Sequence, residues 1–431
     1  REKPRPLGES EVHFAAEGGF MSLHRISIAT ILSLVLIISI ACQQQAPEET
    51  PQAEIDYAAE AQRLAQELLI VDTHIDVPYR LYDSMEDVTA RTEGGHFDAV
   101  RAAEGGLDAA FMSIYVPASR QEEGGARELA DELIDMMEKI AADAPETFAI
   151  AHSVADVRAN FERGVLSLPM GIENGGAIED DLNLLQHFYD RGVRYITLTH
   201  SEPNLIGDSS YSEDRRWQGL SPFGREVVAE MNRLGIMVDI SHVTDDTFYQ
   251  VMEMTNVPAI ASHSCARAFT EGFERNMSDD MIVKLAKNGG VIQIAFAPSF
   301  LSQAARDQSE ELWPLMRAFM EEHKVGFGSE EFKQEVARYY EEHPKATVTV
   351  ADVADHIDHV VQLVGIDHVG LGSDYDGISD TPIGLDDVSA FPNLIEELLK
   401  RGYSEEDLRK ICSENLLRVW SEVEAAAAQR G

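Results

Sequence analysis

Cysteine is scarce in this chain: 431 residues contain three, at positions 42, 265 and 412. Three cysteines cannot build a disulfide framework, and no Cys-x-x-Cys pair is present to form a sulfur-rich zinc site. Any metal must therefore be held by histidines and carboxylates. Positive charge is short as well, with 35 Lys and Arg against 76 Asp and Glu and a net charge of −41. Residues 1–41 add nothing to this, because Arg1, Lys3, Arg5 and Arg25 balance Glu2, Glu9, Glu11 and Glu17. The imbalance lies in residues 42–431, and a body so acidic repels nucleic acid and anionic lipid headgroups. Nucleic acid is thereby excluded as a partner. No G-x-G-x-x-G or P-loop follows any strand-like run, which argues against a nucleotide-binding open sheet. There is no internal repeat and no low-complexity tract beyond Ala425–Ala428.

What the chain does have is apolar residues, 44% of the total, enough for a large core. Residues 26–41 carry no charge, follow His24 and Arg25, and end just before Cys42. The run is short for a membrane span and suits a signal segment. Ser39 and Ala41 precede the cysteine, and Gln-Gln-Gln-Ala-Pro-Glu-Glu-Thr-Pro-Gln follows it. This arrangement resembles the lipobox of bacterial lipoproteins, with Ser39 where a larger aliphatic residue is more usual. It implies lipidation of Cys42 and export to a bacterial membrane, on the periplasmic or extracellular face. Residues 1–20 read as an upstream extension that is not part of the natural chain, 21–41 as the signal peptide and 42–56 as a polar tether.

From residue 57 the pattern alternates. Tyr57–Leu68 has helical periodicity. Short apolar runs then recur at Leu68–Thr73, Leu107–Val116, Phe148–His152, Val165–Ile172, Val193–Thr199, Ile236–Ile240, Ala259–Ala261, Gly290–Ala297 and His368–Gly372, with helical stretches between. Continuous β-branched runs suit strands buried on both faces. Strand–helix alternation at this count predicts an α/β fold, a TIM-like (β/α)8 barrel over residues 57–425. A doubly wound open sheet is the alternative. Residues 301–346 break the rhythm and read as a helical insertion between the last two strands.

Histidines and acids gather where these runs end. His74 and Asp76 close the first in Val-Asp-Thr-His-Ile-Asp. Glu173, His200, His242, His263 and Asp374 each close a later one. Side chains two apart on a strand face the same way, so His74 and Asp76 can address one ion. In a barrel the C-terminal strand ends converge on one mouth, where chemistry sits. Seven ligand-type side chains at six strand ends point to a metal cluster. Asp374-Tyr-Asp376-Gly377 could instead open a calcium loop, but position twelve of such a loop falls on Leu385 rather than Glu. His96, His152, His187, His356, His359 and His368 lack this setting of ligand-type strand ends or look helical, and read as surface or structural. Imidazoles and carboxylates without thiolate suit zinc, and the donors are too many for one ion. Two ions with a bridging carboxylate use them, and a hydroxide held between them is nucleophilic at neutral pH.

These motifs, in this order, resemble those of the membrane (renal) dipeptidase family from about residue 65 to residue 424. They are Asp72-Thr-His74-Ile-Asp76, Gly171-Ile-Glu173-Asn-Gly175, Leu198-Thr-His200-Ser-Glu-Pro-Asn204, His242-Val243, Ser262-His263-Ser264, Arg275-Asn276-Met-Ser-Asp279-Asp280, Gly372-Ser-Asp374-Tyr-Asp376-Gly377 and the tail Asn415-Leu-Leu-Arg-Val-Trp420. The resemblance implies two zinc ions per chain, His74 and Asp76 on one, His242 and His263 on the other, with Glu173 bridging. It implies that His200 steadies substrate and tetrahedral intermediate without binding metal. Arg275 would take the substrate carboxylate, and Asp374 would handle the proton. The substrate would be a dipeptide with a free C-terminus, a D-residue there included. Mammalian members are tethered from the C-terminus; here the lipid would be N-terminal. A homodimer is left open, though without a cysteine framework to link it. The rival readings are another binuclear barrel amidohydrolase, a lactonase or deaminase, and a catalytically silent peptide-binding lipoprotein.

Overall fold

The computed structural model describes residues 55–326 and 329–429. The signal, lipidation and tether expectations, Cys42 among them, lie outside the described residues, as do His13 and His24.

Among the described residues ten strands form one parallel sheet: β1 (Ile70–Ile75), β2 (Leu107–Tyr115), β3 (Phe148–Ile150), β4 (Leu166–Leu168), β5 (Met170–Glu173), β6 (Val193–Thr197), β7 (Met237–Asp239), β8 (Ile260–Ser264), β9 (Val291–Ile294) and β10 (Val369–Leu371). Each begins in a run expected from the sequence, although β1, β5 and β8 extend past the expected ends and the run Val165–Ile172 divides into β4 and β5. The order is β10-β9-β8-β7-β6-β5-β2-β4-β3, with β1 on the other side of β2. β4 and β5 are two halves of one path. Pro169 between them cannot donate to a ladder, yet its carbonyl accepts from Met112 N at 2.8 Å. The halves share β2, while β3 continues from β4 and β6 from β5.

The sheet closes beyond β10. Asp374 N donates to His74 O at 3.0 Å, and Asp76 N to Tyr375 O at 2.9 Å. Thr73 Oγ1 donates to Leu371 O at 3.0 Å. These bonds join the end of β10 to β1 and make a ring of β1, β2, β5, β6, β7, β8, β9 and β10. Asp72 secures the seam, because its buried Oδ1 accepts from His74 N and Ser373 N, each at 3.0 Å.

Strand alternation divides the core in two. Val71, Phe111, Tyr195, Met237, Ile260 and Val291 pack with Leu416, Leu417 and Trp420 of the C-terminal helix Asn415–Ala428. That helix stoppers one end of the barrel, and Trp420 meets Phe111 at 5.3 Å. The alternate residues, such as Ile70, Met112, Ile196, Val238 and Ile292, pack against the outer helices. Between β9 and β10 stand the helices Pro298–Leu301, Gln303–His323, Glu330–Glu342 and Val350–Val364. Among the described residues no helix is long and apolar enough to cross a membrane.

Candidate metal centre at the barrel mouth

Strand geometry alone does not place the donors. On β1, Val71 belongs to the interior cluster, and strict alternation would turn His74 away from it. The register against β2 slips between Asp72 and Ile75, and His74 faces inward. The strand then stops at Ile75. Asp76 stands at the start of the helix Val77–Asp83 but makes no cap hydrogen bond with its side chain, which stays free for the site. Two later candidate donors, His242 and Asp374, sit on left-handed backbone, as does Asp376 beside them, while Glu173 and His263 lie within strands. His242 has φ 67°, Asp374 φ 66° and Asp376 φ 66°. Left-handed conformations cost non-glycine residues about 1–3 kcal/mol each and are retained where side-chain direction matters. Gly377 is required by crowding, since a Cβ there would lie 2.3 Å from Asp76 Oδ2 and 2.5 Å from Asp374 Oδ1.

Glu173 lies at the centre. Its Oε2 is 3.5 Å from His74 Nε2, which is itself 3.4 Å from Asp76 Oδ2. Its Oε1 is 3.1 Å from His242 Nε2 and 3.3 Å from His263 Nε2, and those two nitrogens are 2.9 Å apart. Donors around a tetrahedral zinc with 2.0–2.1 Å bonds are roughly 3.3 Å apart. Both groups have that spacing, one on each carboxylate oxygen. His74, Asp76 and Glu173 form one candidate set, and Glu173, His242 and His263 the other. His74 Nε2 is buried without a hydrogen-bond partner, as a ring nitrogen reserved for a metal should be.

The electrostatics agree for the set of His242 and His263; at His74 burial lowers the pKa, but Tyr195, Glu173 and Asp76 outweigh it and hold the ring well above its ordinary value. Burial holds the His242 and His263 imidazoles well below their ordinary pKa, with Arg275 adding to the effect, so both are neutral and able to ligate. Burial pushes Glu173 up, but His74, His200, His242 and His263 outweigh it and keep its carboxyl well below the usual range. His263 has a fixed tautomer. Ser262 Oγ donates to Asp239 Oδ2 at 2.6 Å, so it can only accept from His263 Nδ1, 2.9 Å away, and Nε2 is left bare. Asp239 also accepts from Ser241 N at 3.0 Å and Ser262 N at 2.8 Å, tying β7 to β8 beneath the histidines.

The remaining residues surround this centre. His200 belongs to neither three-donor set. Its Nε2 is 3.7 Å from Glu173 Oε1, and its ring lies 4.4 Å from that of His242 and 4.8 Å from that of Tyr115. Asp374 forms a third group with His74 and His263, so geometry alone allows it to ligate. Burial and the neighbouring Asp76 hold its carboxyl well above the usual range. Arg275 precedes the helix Asp279–Lys287, whose N-cap is Ser278, and is 3% exposed. Its Nη2 donates to His263 O at 2.7 Å, while Nε and Nη1 are buried without partners.

The strand-end signal did not reach Tyr195, Asp239 or Ser262, which hold the donors from behind. Tyr195 and Ser262 lie in strand interiors and Asp239 is the last residue of β7; a polar residue in an apolar run was the only available sign. Of the histidines set aside, His356 is buried between Ala266 N, 3.0 Å from its Nδ1, and Leu301 O, 3.1 Å from its Nε2. His359 pairs with Asp279 at 2.7 Å, and His96 Nδ1 accepts from Asp376 N at 3.0 Å.

A parallel barrel with imidazoles and carboxylates converging at its mouth defines the class of metal-dependent barrel hydrolases. Residues 58–430 match the membrane dipeptidase family, peptidase family M19, and the chain belongs to that family. It is a peptide-bond hydrolase. The chain is 36% identical over 340 residues to dipeptidase aclJ of Aspergillus oryzae, covering 77% of this chain and 71% of that one. It is 31% identical over 371 residues to an uncharacterized dipeptidase of Schizosaccharomyces pombe, covering 82% and 81%. Among solved structures it resembles the probable dipeptidase PvdM of Pseudomonas aeruginosa, with TM-score 0.74, 28% identity and coverage of 86% and 99%. It also resembles a metallopeptidase of Rhodobacter sphaeroides liganded with a phosphinate mimic of L-Ala-D-Ala, with TM-score 0.68, 27% identity and coverage of 83% and 99%.

Proposed function

We propose that the protein is a two-zinc dipeptidase that cleaves dipeptides bearing a free C-terminal carboxylate. The observation that carries this reading is the division of Glu173, one oxygen toward His74 and Asp76 and the other toward His242 and His263. Zinc held there supplies Lewis acidity, polarising a carbonyl and making water nucleophilic at neutral pH. The chain's own residues do the rest. Arg275 offers two unpartnered guanidinium nitrogens to the substrate carboxylate, and its bond to His263 O fixes its distance from the cut bond. His200, at the edge of the donor groups with Nδ1 free, steadies the developing negative charge. Asp374 takes the proton and returns it to the leaving amine. The Rhodobacter ligand mimics a dipeptide ending in D-Ala. It supports acceptance of either hand at the terminal residue.

Purified protein should contain about two zinc ions per chain, as the two-metal scheme requires. It should cleave free dipeptides, some ending in a D-residue, and leave C-amidated dipeptides and tripeptides nearly untouched. Arg275→Ala should lower kcat/KM by the equivalent of roughly 1.5–3 kcal/mol. Equal cleavage of amidated and free dipeptides by the wild type overturns the carboxylate role. Hydrolysis of lactones or deamination without dipeptide cleavage would favour the amidohydrolase rival, and metal without turnover the silent binding protein.

Export and anchoring through a lipid on Cys42 are part of the proposal, supported by the uncharged run 26–41 and the polar tether after it. Cys265 and Cys412 are buried and free, so a homodimer would be held without them. Mass spectrometry should find a diacylglyceryl-modified Cys42 at the mature N-terminus; an unmodified terminus elsewhere refutes the anchor.

A further inference from the structure

The three imidazoles of the candidate metal centre are supported in three different ways. Behind His263 stands the Ser262–Asp239 pair. His242 Nδ1 has no partner, and its ring is aimed by a left-handed backbone. His74 Nδ1 lies 2.8 Å from the phenol oxygen of Tyr195. Tyr195 comes from β6, two strands beyond β2 in the ring, and reaches His74 on β1 across the barrel interior.

The barrel is shaped to let it pass. Gly171 on β5 is the cross-strand partner of Tyr195. A Cβ at Gly171 would lie 2.1 Å from Tyr195 Cζ. The absent side chain is therefore the space the ring occupies. Phe111 closes the other side at 5.4 Å, and Tyr195 is fully buried. A ring walled in this way has one position for its hydroxyl.

We propose that Tyr195 is a positioning residue for the metal site of His74 and Asp76, and for that site alone. The inference rests on the two-metal reading. When His74 Nε2 faces the metal, Nδ1 carries the ring hydrogen, and the Tyr195 oxygen accepts it. That bond selects the ligating tautomer and fixes the ring plane against Asp76 and Glu173. Support of this kind commonly comes from a carboxylate or a backbone carbonyl. A phenol supplies it without placing another negative charge beside Asp76, Glu173 and Asp374. The plain alternative is that His74 merely satisfies a buried hydroxyl, since phenol groups in cores need partners.

The two accounts differ for Tyr195→Phe, which keeps the ring and removes only the oxygen. Metal-free protein is titrated with Zn2+ in competition with a chromophoric chelator. Wild type should take up two equivalents. Tyr195→Phe should keep one at wild-type affinity and bind the other about 10–100-fold more weakly. Its thermal stability without metal should fall only by what one lost buried hydrogen bond costs. Gly171→Ala, which crowds the same ring, should weaken the same equivalent, and Tyr195→Phe decides the matter if that variant does not fold. Unchanged affinity at both sites in Tyr195→Phe, or equal weakening of both, overturns the assignment. A wild type that binds a single zinc defeats the two-metal reading itself; Tyr195 then stands only if that one equivalent weakens in Tyr195→Phe.

Discussion

Asp374 shows how much depends on one side chain's surroundings. It follows β10 on a left-handed backbone, with its amide bonded to His74 O and its carboxylate beside Gly377. It is close enough to His74 and His263 to ligate, whereas the proposed function gives it the proton. Asp374→Asn separates the two roles, because an amide keeps the shape but cannot carry the proton. Loss of a general acid–base group costs roughly 10²–10⁴ in rate. The expected outcome is a fall in kcat of that size with both metals retained, read by steady-state kinetics and elemental analysis on one preparation. Metal lost along with activity would make Asp374 a ligand.

At the scale of elements, His356 shows how a helix is fastened to the loops around the mouth. The helix Val350–Val364 presents it to Ala266 N, just after β8, and to Leu301 O. The bond from Ala266 N needs a bare Nδ1, so the ring that makes both bonds is neutral with its hydrogen on Nε2. Burial accordingly lowers its pKa to about 4. The folded value lies below that of the unfolded chain, about 6.5. Its contribution is therefore complete above pH 6.5 and is lost as pH falls toward 4, where the unfolded chain takes up a proton that the folded one resists. The loss over that window is about 3 kcal/mol. In urea unfolding of metal-free protein, the wild type should weaken across this range more steeply than His356→Gln. Parallel pH profiles would show that the histidine does not titrate in this way.

For the whole molecule, the donors come from strands spread around the ring, from β1 through β5, β7 and β8, with Asp374 following β10. A metal that binds only this assembled set stabilises the folded state by mass action. Free zinc at about 1,000 times its Kd adds about 4 kcal/mol. Chelation should therefore lower the unfolding temperature, and restoring zinc should recover it. An unfolding temperature indifferent to chelator would mean that the folded mouth does not take up the metal.

Local sequence determined the strands, since apolar β-branched runs ending in polar turns have few other solutions, and it marked the strand-end donors by type and position. His74, Glu173, His242 and His263 were legible because a strand-end histidine or acid contrasts with the run before it. The family motifs added Arg275 and the proposed division of labour among the acids. Local pattern could not decide which way each side chain points. The slip on β1 that turns His74 inward is seen only in its pairing with β2, and no glycine marks the left-handed backbone at His242 and Asp374. Nor could it show that Tyr195 meets His74, 121 residues away, through the gap left by Gly171. Contacts across a barrel interior exist only once the ring has closed, and ring closure sets distances that no short stretch of chain encodes.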